Sequence, residues 1–552
     1  MRRYAAASST GALRVATMEA MKEFNTEGPV RPDEHYLIPP LERIDLDEVL
    51  GLVRSGKYFA LHAPRQTGKT SALLALRDLL NSGAAGDYRC VYANFEVGQA
   101  AREDTARALR ALLSQLAARA EMTLADETPG RLRNAALADA GPDGALFEVL
   151  SRWARADPRP LVLLIDEIDT LVGDTLLSVL RQLRAGYDER PGRFPHSVIL
   201  CGVRDVRDYR VHSTARNALV LGGSAFNIKS KSLRLGDFTE SETRALLAQH
   251  TVETGQAFAP TALEAIWTRT AGQPWLVNAL CREACFESRA GRDRSRTITE
   301  RDILDAQERL ILARVTHLDN LADKLREERV RRVVLPMLTG AADRDRYADR
   351  DRDVEYVRDL GLLAQHDAKR IANPIYAEVI PRELTWVAQD DVEAEEGWFV
   401  DTGGGLNVDR LLAAFQQFFR EHSEHWTQRF DRYQEAGPQL LLQAYLQKVV
   451  NGGGRIEREY ALGRGRVDLL IVWPHAGCTR RFVVECKVRR DGLERTVREG
   501  VEQTRGYMDR CGAEAGHLIV FDRSETRTWE EKIFRRETPA QDGAAPVTVW
   551  GM

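Results

Sequence analysis

The sequence predicts an α/β protein in which two separate α/β domains account for most of the chain. Between residues 58 and 238, short apolar strand candidates alternate with helical stretches, a pattern typical of a parallel sheet covered by helices on both faces. Beyond residue 406, helical patterns lead into three strand candidates, another helix and a further strand. Because 552 residues exceed what one hydrophobic core supports, we expect about three domains.

Composition and charge are those of an ordinary globular chain. Hydrophobic residues make up 43% and charged residues 29%, and the formal net charge of −4 neither favours nor excludes a nucleic-acid partner. No apolar run approaches the roughly 20 residues that a membrane helix needs, and the N-terminus lacks the apolar stretch of a secretory signal. Seven scattered cysteines indicate reduced thiols rather than disulfides. We therefore expect a cytoplasmic protein without a membrane partner.

Periodicity and turn signals divide the chain further. In the first α/β region the strand candidates are Tyr58–His62, Cys90–Phe95, Leu161–Ile165, Val198–Cys201 and Leu233–Leu235. In the last region we expect helices over Val408–Arg420, Gly437–Val450 and Leu493–Arg510, and strands over Ile456–Tyr460, Val467–Trp473, Arg481–Cys486 and His517–Phe521. Between these regions, helical patterns are followed by a short strand pair, Val357–Gln365 and Arg370–Val379, which is the pattern of a winged helix. The predicted organisation is a lead-in (1–35), an α/β core (36–238), a helical lid (239–318), a winged helix (319–386), an acidic, glycine-containing linker (387–405) and a second α/β domain (406–552).

A phosphate-binding loop follows the first strand candidate directly. The segment reads Ala63-Pro64-Arg65-Gln66-Thr67-Gly68-Lys69-Thr70 and precedes a predicted helix over Ser71–Leu80. In such a loop the backbone N–H groups and a helix N-terminus surround the phosphates, a lysine neutralises their charge, and a hydroxyl binds Mg²⁺. Lys69 and Thr70 have the spacing for the last two roles. We expect the nucleotide to be bound by Arg65, Gln66, Thr67, Gly68, Lys69, Thr70 and Ser71.

The third strand candidate ends in two acids, Asp166 and Glu167. A buried apolar strand would deliver Asp166 to Mg²⁺ beside Thr70, and Glu167 could polarise the attacking water. A simpler interpretation is a buried strand that ends in solvated acids, but the upstream phosphate loop argues against it. The sequence therefore predicts an ATP site with Mg²⁺.

Further motifs in this region resemble STAND-type ATPases, which are relatives of the AAA+ class. Val198–Arg204 is similar to their strand–Gly–x–Arg signature, and Gly272-Gln273-Pro274 is similar to the Gly–x–Pro motif that opens a lid helix. Ser224–Phe238 resembles bacterial AAA-like members of the group. Over residues 35–385, the resemblance implies a P-loop ATPase parallel sheet with a helical lid and a winged helix packed on the nucleotide core. It also implies that Arg204 senses the γ-phosphate and that Pro274 lies at the nucleotide.

A second candidate site lies near residue 485. Metal-dependent phosphodiester cleavage needs two or more carboxylates to hold Mg²⁺ and a lysine that orients or activates water. Asp468 opens one apolar strand candidate, and Glu485 and Lys487 share one face of the next because alternate strand residues point the same way. A hairpin with a surface Glu–Lys pair is the simpler interpretation.

This arrangement, Asp468…Glu485-x-Lys487, resembles the PD-(D/E)XK nuclease core. The segments Gly465–Asp468 and Gln503-x-x-x-Tyr507 are similar to further motifs of the family, and Glu435 stands where the family often carries an additional acid. Over about residues 405–525, the resemblance implies an α/β restriction-endonuclease-like domain. It assigns catalysis to Asp468, Glu485, Lys487 and Gln503, and Mg²⁺ or Mn²⁺ binding to Glu435, Asp468 and Glu485. Six arginines could track phosphates: Arg480, Arg481, Arg489, Arg490, Arg495 and Arg498.

The two sites together predict an ATP-binding and ATP-hydrolysing protein whose nucleotide state controls the cutting of DNA, with defence against foreign DNA as a possible setting. The expected partners are nucleic acid, DNA above RNA, and either further copies of the chain or another protein. A regulatory switch whose C-terminal domain binds nucleic acid without cutting is the alternative. An ATP-driven motor is a third interpretation, and it requires an arginine from a neighbouring subunit. The candidates for that arginine are Arg181, Arg184, Arg190 and Arg193.

Overall fold

The computed structural model divides into two compact units, Met1–Ala313 and Arg314–Met552. The residues that it describes are 21–203, 210–213, 218–221, 228–313, 321, 324–325, 327–338, 352–365, 367, 370–384, 399–401, 403–429, 442, 445–446, 454–462, 465–475, 477–489, 492–522, 524, 527–538 and 546–552. Within these ranges, every helix is too short or too polar to span a membrane.

A parallel five-stranded sheet forms the centre of the first unit. The strands of this unit are β1 (Glu23–Phe24), β2 (His35–Tyr36), β3 (Tyr58–His62), β4 (Arg89–Asn94), β5 (Leu161–Asp166), β6 (Ser197–Gly202), β7 (Arg210–Ser213), β8 (Ala218–Leu221) and β9 (Lys229–Arg234). The central sheet has the order β4-β5-β6-β3-β9, whereas β1 pairs with β2 and β7 with β8. The predicted parallel sheet is thus confirmed, although its last strand begins at Lys229 instead of Leu233.

The helices of the first unit cover both faces of this sheet and make up the region predicted as a lid, within which the described helices span residues 240–312. They are α1 (Leu46–Arg54), α2 (Lys69–Asn81), α3 (Thr105–Leu124), α4 (Thr128–Asp139), α5 (Ala145–Arg155), α6 (Gly173–Ala185), α7 (Glu240–Thr254), α8 (Pro260–Thr270), α9 (Pro274–Arg282) and α10 (Glu300–Leu312). Side chains of α3, α5 and α6 pack on one face of the sheet, and those of α1 and α2 pack on the other. All residues of β5 are buried, as expected for a strand with helices on both sides.

Residues 23–36, which lie mostly in the segment predicted as an irregular or partly helical lead-in, belong to the folded first unit. Phe24 and Tyr36 are 0% and 1% exposed. The backbone of Thr26 accepts a hydrogen bond from Trp275 Nε1 (3.0 Å) in α9. A sheet of two strands of two residues each is not recognisable from local periodicity, because it is stabilised by packing against distant helices. Residues 1–20 lie outside the described part of the chain.

Gly272 joins the lid to the end of the core. Its φ of +76° lies in the left-handed region, and its carbonyl accepts a hydrogen bond from the Phe238 N–H (2.8 Å). A Cβ atom at this position would lie 2.0 Å from the Phe238 carbonyl oxygen. The glycine of the predicted Gly–x–Pro motif is therefore required by both backbone conformation and close packing.

Replacing Gly272 with alanine is expected to lower the free energy of unfolding by roughly 2–4 kcal/mol, because it adds overpacking to the penalty for positive φ. Gly255→Ala is the matched control, since Gly255 also has a φ of +76° but has no atom within 4 Å of an added Cβ. That control should cost only about 1 kcal/mol. Denaturant titration of both variants tests the expectation, and equal destabilisation would contradict it.

The second unit begins with three described helices, α11 (Glu328–Leu338), α12 (Arg352–Asp359) and α13 (Pro374–Leu384). Leu363 and Ile371 form a single β-bridge between α12 and α13. The predicted strand over Arg370–Val379 is wrong beyond this bridge, because Pro374 begins a helix, a position that suits its fixed φ. The winged-helix assignment itself stays a prediction.

A mixed six-stranded sheet forms the rest of the second unit. Its strands are β10 (Arg455–Leu462), β11 (Gly465–His475), β12 (Cys478–Val488), β13 (Ala515–Phe521), β14 (Phe534–Thr538) and β15 (Val547–Gly551), and its helices are α14 (Val408–Arg429), α15 (Leu493–Cys511) and the short α16 (Trp529–Lys532). The sheet order is β10-β11-β12-β13-β15-β14, with β12, β13 and β15 parallel to one another. The strands expected around residues 456–460, 467–473, 481–486 and 517–521 are confirmed.

Alternation along the strands sends side chains to opposite faces of this sheet. Leu469 and Val484 pack with α14, whereas Leu470 and Val483 pack with α15. Phe399, within the segment predicted as a linker, is 6% exposed and packs in the α14 core, and the bounds of the linker stay a prediction. Most of the helix predicted over Gly437–Val450 lies outside the described residues.

Candidate functional site

The phosphate loop runs from β3 into α2 in a conformation set by two positive φ angles. Gln66 has a φ of 58°, and Gly68, immediately before α2, has a φ of +92°. A Cβ at Gly68 would lie 2.7 Å from Arg43 Nη1, so a side chain here would displace Arg43 in addition to the strain of a positive φ. The turn brings the first N–H groups of α2 towards the loop, as an anion site at a helix N-terminus requires.

Lys69 occupies the centre of the loop. Its side chain is 5% exposed, and Nζ donates to the carbonyl oxygens of Ala63 (2.9 Å) and Pro64 (2.8 Å). Thr67, 1% exposed, also donates to the Pro64 carbonyl through Oγ1 (2.8 Å). Among the described residues, the hydrogen-bond partners of this buried ammonium group are these two uncharged carbonyls, so its positive charge stays available for a phosphate.

Thr70 and Asp166 meet at the carboxyl edge of the central sheet. Thr70 Oγ1 donates to Asp166 Oδ2 (2.7 Å), which also accepts from the Tyr92 hydroxyl (3.0 Å). Asp166 is fully buried and its Oδ1 accepts from the N–H of Glu167 (3.0 Å). A hydroxyl and a carboxylate at hydrogen-bond distance are a donor set that fits Mg²⁺, a cation that prefers oxygen ligands.

Glu167 turns away from the strand with a φ of 53°. Burial raises the pKa of its carboxyl group, the charge of Lys69 opposes the rise, and the charges of Asp169 and Asp166 add to it. Asp169 Oδ2 accepts from the N–H of Val203 (3.0 Å), which ties the loop after β5 to the end of β6. Arg204, the next residue, lies outside the described part of the chain.

A pocket opens beside the phosphate loop. Of the predicted nucleotide-binding residues, Gln66, Gly68, Ser71 and Pro274 line it. The rest of the lining was not predicted from the sequence: Asn25, Thr26, Gly28, Val30, Tyr36, Leu37, Ile38, Pro40 and Arg43 from the N-terminal segment, and Phe238, Leu246, Trp275 and Asn278 from the region after β9. The available signal was the apolar, proline-containing run at residues 36–41 directly before the core. Arg65, which is exposed, does not line the pocket, and neither do Thr67, Lys69 and Thr70.

Arg43 connects three parts of this site. It donates to the carbonyl oxygens of Thr67 (2.5 Å) and Gly236 (2.6 Å), and its guanidinium lies 4.6 Å from the centre of the Phe238 ring. Burial lowers its pKa to about 10, so the side chain stays charged near neutral pH. It holds the phosphate loop against the segment that leads into the lid.

The second candidate site lies on the α15 face of the C-terminal sheet. Leu469 pairs with Val484, so their neighbours Asp468 and Glu485 stand side by side on adjacent strands. Asp468 Oδ2 accepts from the N–H of Cys486 (2.8 Å), and Lys487 Nζ donates to Glu485 Oε1 (2.6 Å). The structure thus brings these three predicted residues together.

Glu485 is 2% exposed. Burial, with a smaller contribution from the charge of Asp468, raises its pKa to about 7, although the charge and hydrogen bond of Lys487 oppose the rise. Burial lowers the pKa of Lys487, but the charge and hydrogen bond of Glu485 raise it above its ordinary value. Glu485 Oε2 is buried and has no hydrogen-bond partner among the described residues, so this carboxylate has one oxygen left for a cation.

The other two residues predicted for this site are Gln503 and Glu435. Gln503 is exposed on α15, and its described hydrogen bond runs to the Tyr507 hydroxyl (3.4 Å) within the same helix. Glu435 lies outside the described residues. Across the described ranges, no group of three or more His, Cys, Asp or Glu side chains could hold a metal ion. A cation at this position would therefore have only Asp468 and Glu485 as described carboxylate ligands.

Most of the arginines that could track phosphates have internal partners. Arg480 pairs with Glu514, Arg489 with Asp522 and Arg495 with Glu499, and Arg481 donates to the Cys511 carbonyl. Arg490 lies outside the described residues. These ion pairs leave Arg498, exposed on α15, as the strongest remaining candidate for a phosphate contact.

One of the arginines considered for a neighbouring subunit also has a structural role. Arg190 donates to the Tyr187 carbonyl through Nε (2.5 Å), and its guanidinium lies 3.5 Å from the centre of the Tyr187 ring. Arg181, Arg184 and Arg193 are exposed.

Comparison with known protein families identifies one part of the first unit. Residues 53–209 match the family model described as an AAA domain. No curated protein matches the chain. Among solved structures, a Walker-type ATPase of Pyrococcus abyssi is similar at 14% identity and a TM-score of 0.43, over 65% of this chain and 99% of that one. Cdc6p of Pyrobaculum aerophilum is similar at 16% identity and a TM-score of 0.34, over 69% and 93%. Residues 53–209 of this chain are an AAA-type P-loop ATPase domain, which implies the binding of ATP.

Proposed function

We propose that this protein is an ATP-hydrolysing, metal-dependent nuclease in which the nucleotide state of the AAA-type domain controls the cleavage of DNA by the C-terminal unit. The observation that carries the nuclease half is Glu485, a carboxylate buried beside Asp468 and Lys487 with one oxygen unpartnered among the described residues. A solvated Glu–Lys pair on a hairpin would not be 2% exposed. Perturbed, clustered ionisable groups of this kind are typical of functional sites.

ATP hydrolysis in this proposal uses the residues at the edge of the central sheet. Thr70 and Asp166 would hold Mg²⁺, which neutralises developing charge on the phosphates. Lys69 binds the phosphates, and Glu167 orients the water that attacks the γ-phosphorus, so that ADP and phosphate form. The raised pKa of Glu167 makes it a better proton acceptor than a solvated glutamate.

Cleavage uses the two carboxylates of the C-terminal sheet. A divalent cation, Mg²⁺ or Mn²⁺, held by Asp468 and Glu485 would supply Lewis-acid stabilisation of the phosphodiester. Lys487, and Gln503 if its side chain turns from Tyr507, would orient the attacking water. The water oxygen bonds to phosphorus, one P–O bond of the diester breaks, and a proton ends on the leaving oxygen.

Control by the nucleotide would act through assembly. We propose that the first unit binds ATP and associates with further copies of this chain or with a partner protein, and that this association positions the C-terminal unit on DNA. Defence against foreign DNA is a setting that suits a nuclease restrained by a nucleotide switch.

A regulatory switch whose C-terminal unit binds nucleic acid without cutting is the second candidate. Two observations favour this alternative. No third described carboxylate, histidine or cysteine joins Asp468 and Glu485 as a metal ligand. Lys487 also already neutralises Glu485 through an ion pair. In this alternative, as in a STAND-type switch, ATP turnover is the only chemistry.

The test is an incubation of the full-length protein with linear and circular DNA in the presence of Mg²⁺ or Mn²⁺, with and without ATP. Cleavage that depends on the metal and changes with ATP is the expected result. ATP turnover and DNA binding without cleavage under any of these conditions would favour the switch.

A further inference from the structure

Asn278 is a polar side chain in the lid whose hydrogen bonding is incomplete. It lies in α9, is 8% exposed, and lines the pocket beside the phosphate loop. Its Nδ2 donates to the Pro274 carbonyl oxygen (2.8 Å). Its Oδ1 is buried and has no hydrogen-bond partner among the described residues.

The hydrogen bond to Pro274 identifies the unpartnered atom. Because a carbonyl oxygen only accepts, the amide atom that faces it must be the NH₂ group, and the other atom is the amide oxygen. Asn278 therefore leaves a hydrogen-bond acceptor, and not a donor, without a partner. A buried acceptor without a donor is unfavourable, so such a group in a folded protein calls for a missing partner.

The position of the pocket indicates what that partner is. Gln66, Gly68 and Ser71 of the phosphate loop and α2 line the same pocket as Asn278, and Tyr36 and Trp275 supply aromatic surface there. A nucleotide with its phosphates on the loop would extend its sugar and base along this pocket. Apolar walls with a few polar groups are the usual way in which proteins hold and select a base.

We propose that Asn278 selects the nucleobase, with its amide oxygen accepting a hydrogen bond from the exocyclic 6-amino group of adenine. Guanine and hypoxanthine carry a carbonyl oxygen at that position, which would face the Asn278 oxygen as a second acceptor. Sites that hydrogen-bond a substrate group discriminate against analogues that lack it. This inference rests on the ATP-binding half of the proposed function and is independent of DNA cleavage.

The test compares three triphosphates that differ at purine position 6: ATP with an amine, purine riboside triphosphate with hydrogen, and inosine triphosphate with oxygen. Binding to the full-length protein is measured by titration calorimetry with Mg²⁺, in a Glu167→Gln background that blocks turnover. We expect ATP to bind roughly 3- to 10-fold more tightly than purine riboside triphosphate, the ratio that corresponds to one neutral hydrogen bond. Inosine triphosphate should bind no better than purine riboside triphosphate.

In Asn278→Leu, which keeps the size of the side chain but cannot accept, ATP and purine riboside triphosphate should bind equally. Asn25→Leu is the matched control, because Asn25 lines the same pocket but already uses both polar atoms, Nδ2 towards Gly28 and Oδ1 towards Glu27. It should weaken all three nucleotides by the same factor.

A wild-type protein that binds ATP and purine riboside triphosphate equally would overturn the inference, whether or not the variants fold. An unchanged ratio in a folded Asn278→Leu variant would also overturn it, and so would a failure of all three nucleotides to bind. A protein that selects adenine as expected but cuts no DNA supports this inference and contradicts the nuclease half of the proposed function.

Discussion

Replacing Glu485 with glutamine is expected to reduce DNA cleavage on the order of 10³-fold, which corresponds to roughly 4 kcal/mol of lost transition-state stabilisation. Glutamine keeps the volume of the buried side chain but removes its charge. Without that charge the site loses one of two carboxylates, and Lys487 loses the partner at 2.6 Å. Cleavage rates with Mg²⁺ measure the effect, and ATP affinity should stay at the wild-type value.

Glu514→Gln is the matched control for this substitution. Glu514 lies in the same unit and also pairs with a basic residue, Arg480, at 2.7 Å, but its side chain is 45% exposed. Exposed ion pairs contribute little, so we expect wild-type cleavage. If Glu485→Gln cut DNA as fast as the control, Glu485 would have no part in the reaction. Cleavage lost equally in both variants would indicate damage to the fold.

Replacing Lys69 with alanine is expected to weaken ATP binding by roughly 10- to 100-fold, since a hydrogen bond to a charged group contributes about 1.5–3 kcal/mol. Lys69 is buried in the phosphate loop, where its ammonium group donates to the Ala63 carbonyl oxygen. If ATP controls cleavage, DNA cutting by this variant should no longer change when ATP is added. Binding is measured by calorimetry and cleavage in the same buffer.

Lys57→Ala is the control for the phosphate-loop variant. Lys57 is exposed and lies immediately before β3, whereas the phosphate loop follows that strand at its other end. We expect ATP binding and ATP control of cleavage to be unchanged. If ATP binding is weakened in Lys69→Ala but cleavage still responds to ATP, then ATP bound to the AAA-type domain does not control the nuclease.

The strand–loop–helix arrangement of the phosphate site could be predicted because each of its parts is local. Five apolar runs alternate with helical patterns, and the motif lies at one junction between them. The meeting of Thr70 and Asp166 at 2.7 Å also follows from topology, because parallel strands end at the same edge of a sheet. Two-residue alternation likewise placed Glu485 and Lys487 on one face of β12.

The rest of the nucleotide pocket could not be predicted in this way. Residues 23–36 carry little regular pattern, and Trp275 reaches the Thr26 carbonyl from the lid, far along the chain. The arginines near Glu485 formed a basic run in the sequence, but Arg480 and Arg489 bind acids that come from other elements. Gln503 has the spacing of a motif, yet its described hydrogen bond is to Tyr507 in its own helix.

The sequence by itself determined the parallel sheet, the phosphate loop and the strand face that carries Asp468, Glu485 and Lys487. Those features depend on the alternation of side chains along a strand and on the turn that glycine permits, which are properties of the local backbone. Only the tertiary structure decided which distant groups meet: Trp275 with the Thr26 carbonyl of the N-terminal segment, and Asn278 with the residues of the phosphate loop that line the same pocket. Such contacts depend on the packing of the whole unit, because the free energy of burying a side chain is set by every element that surrounds it.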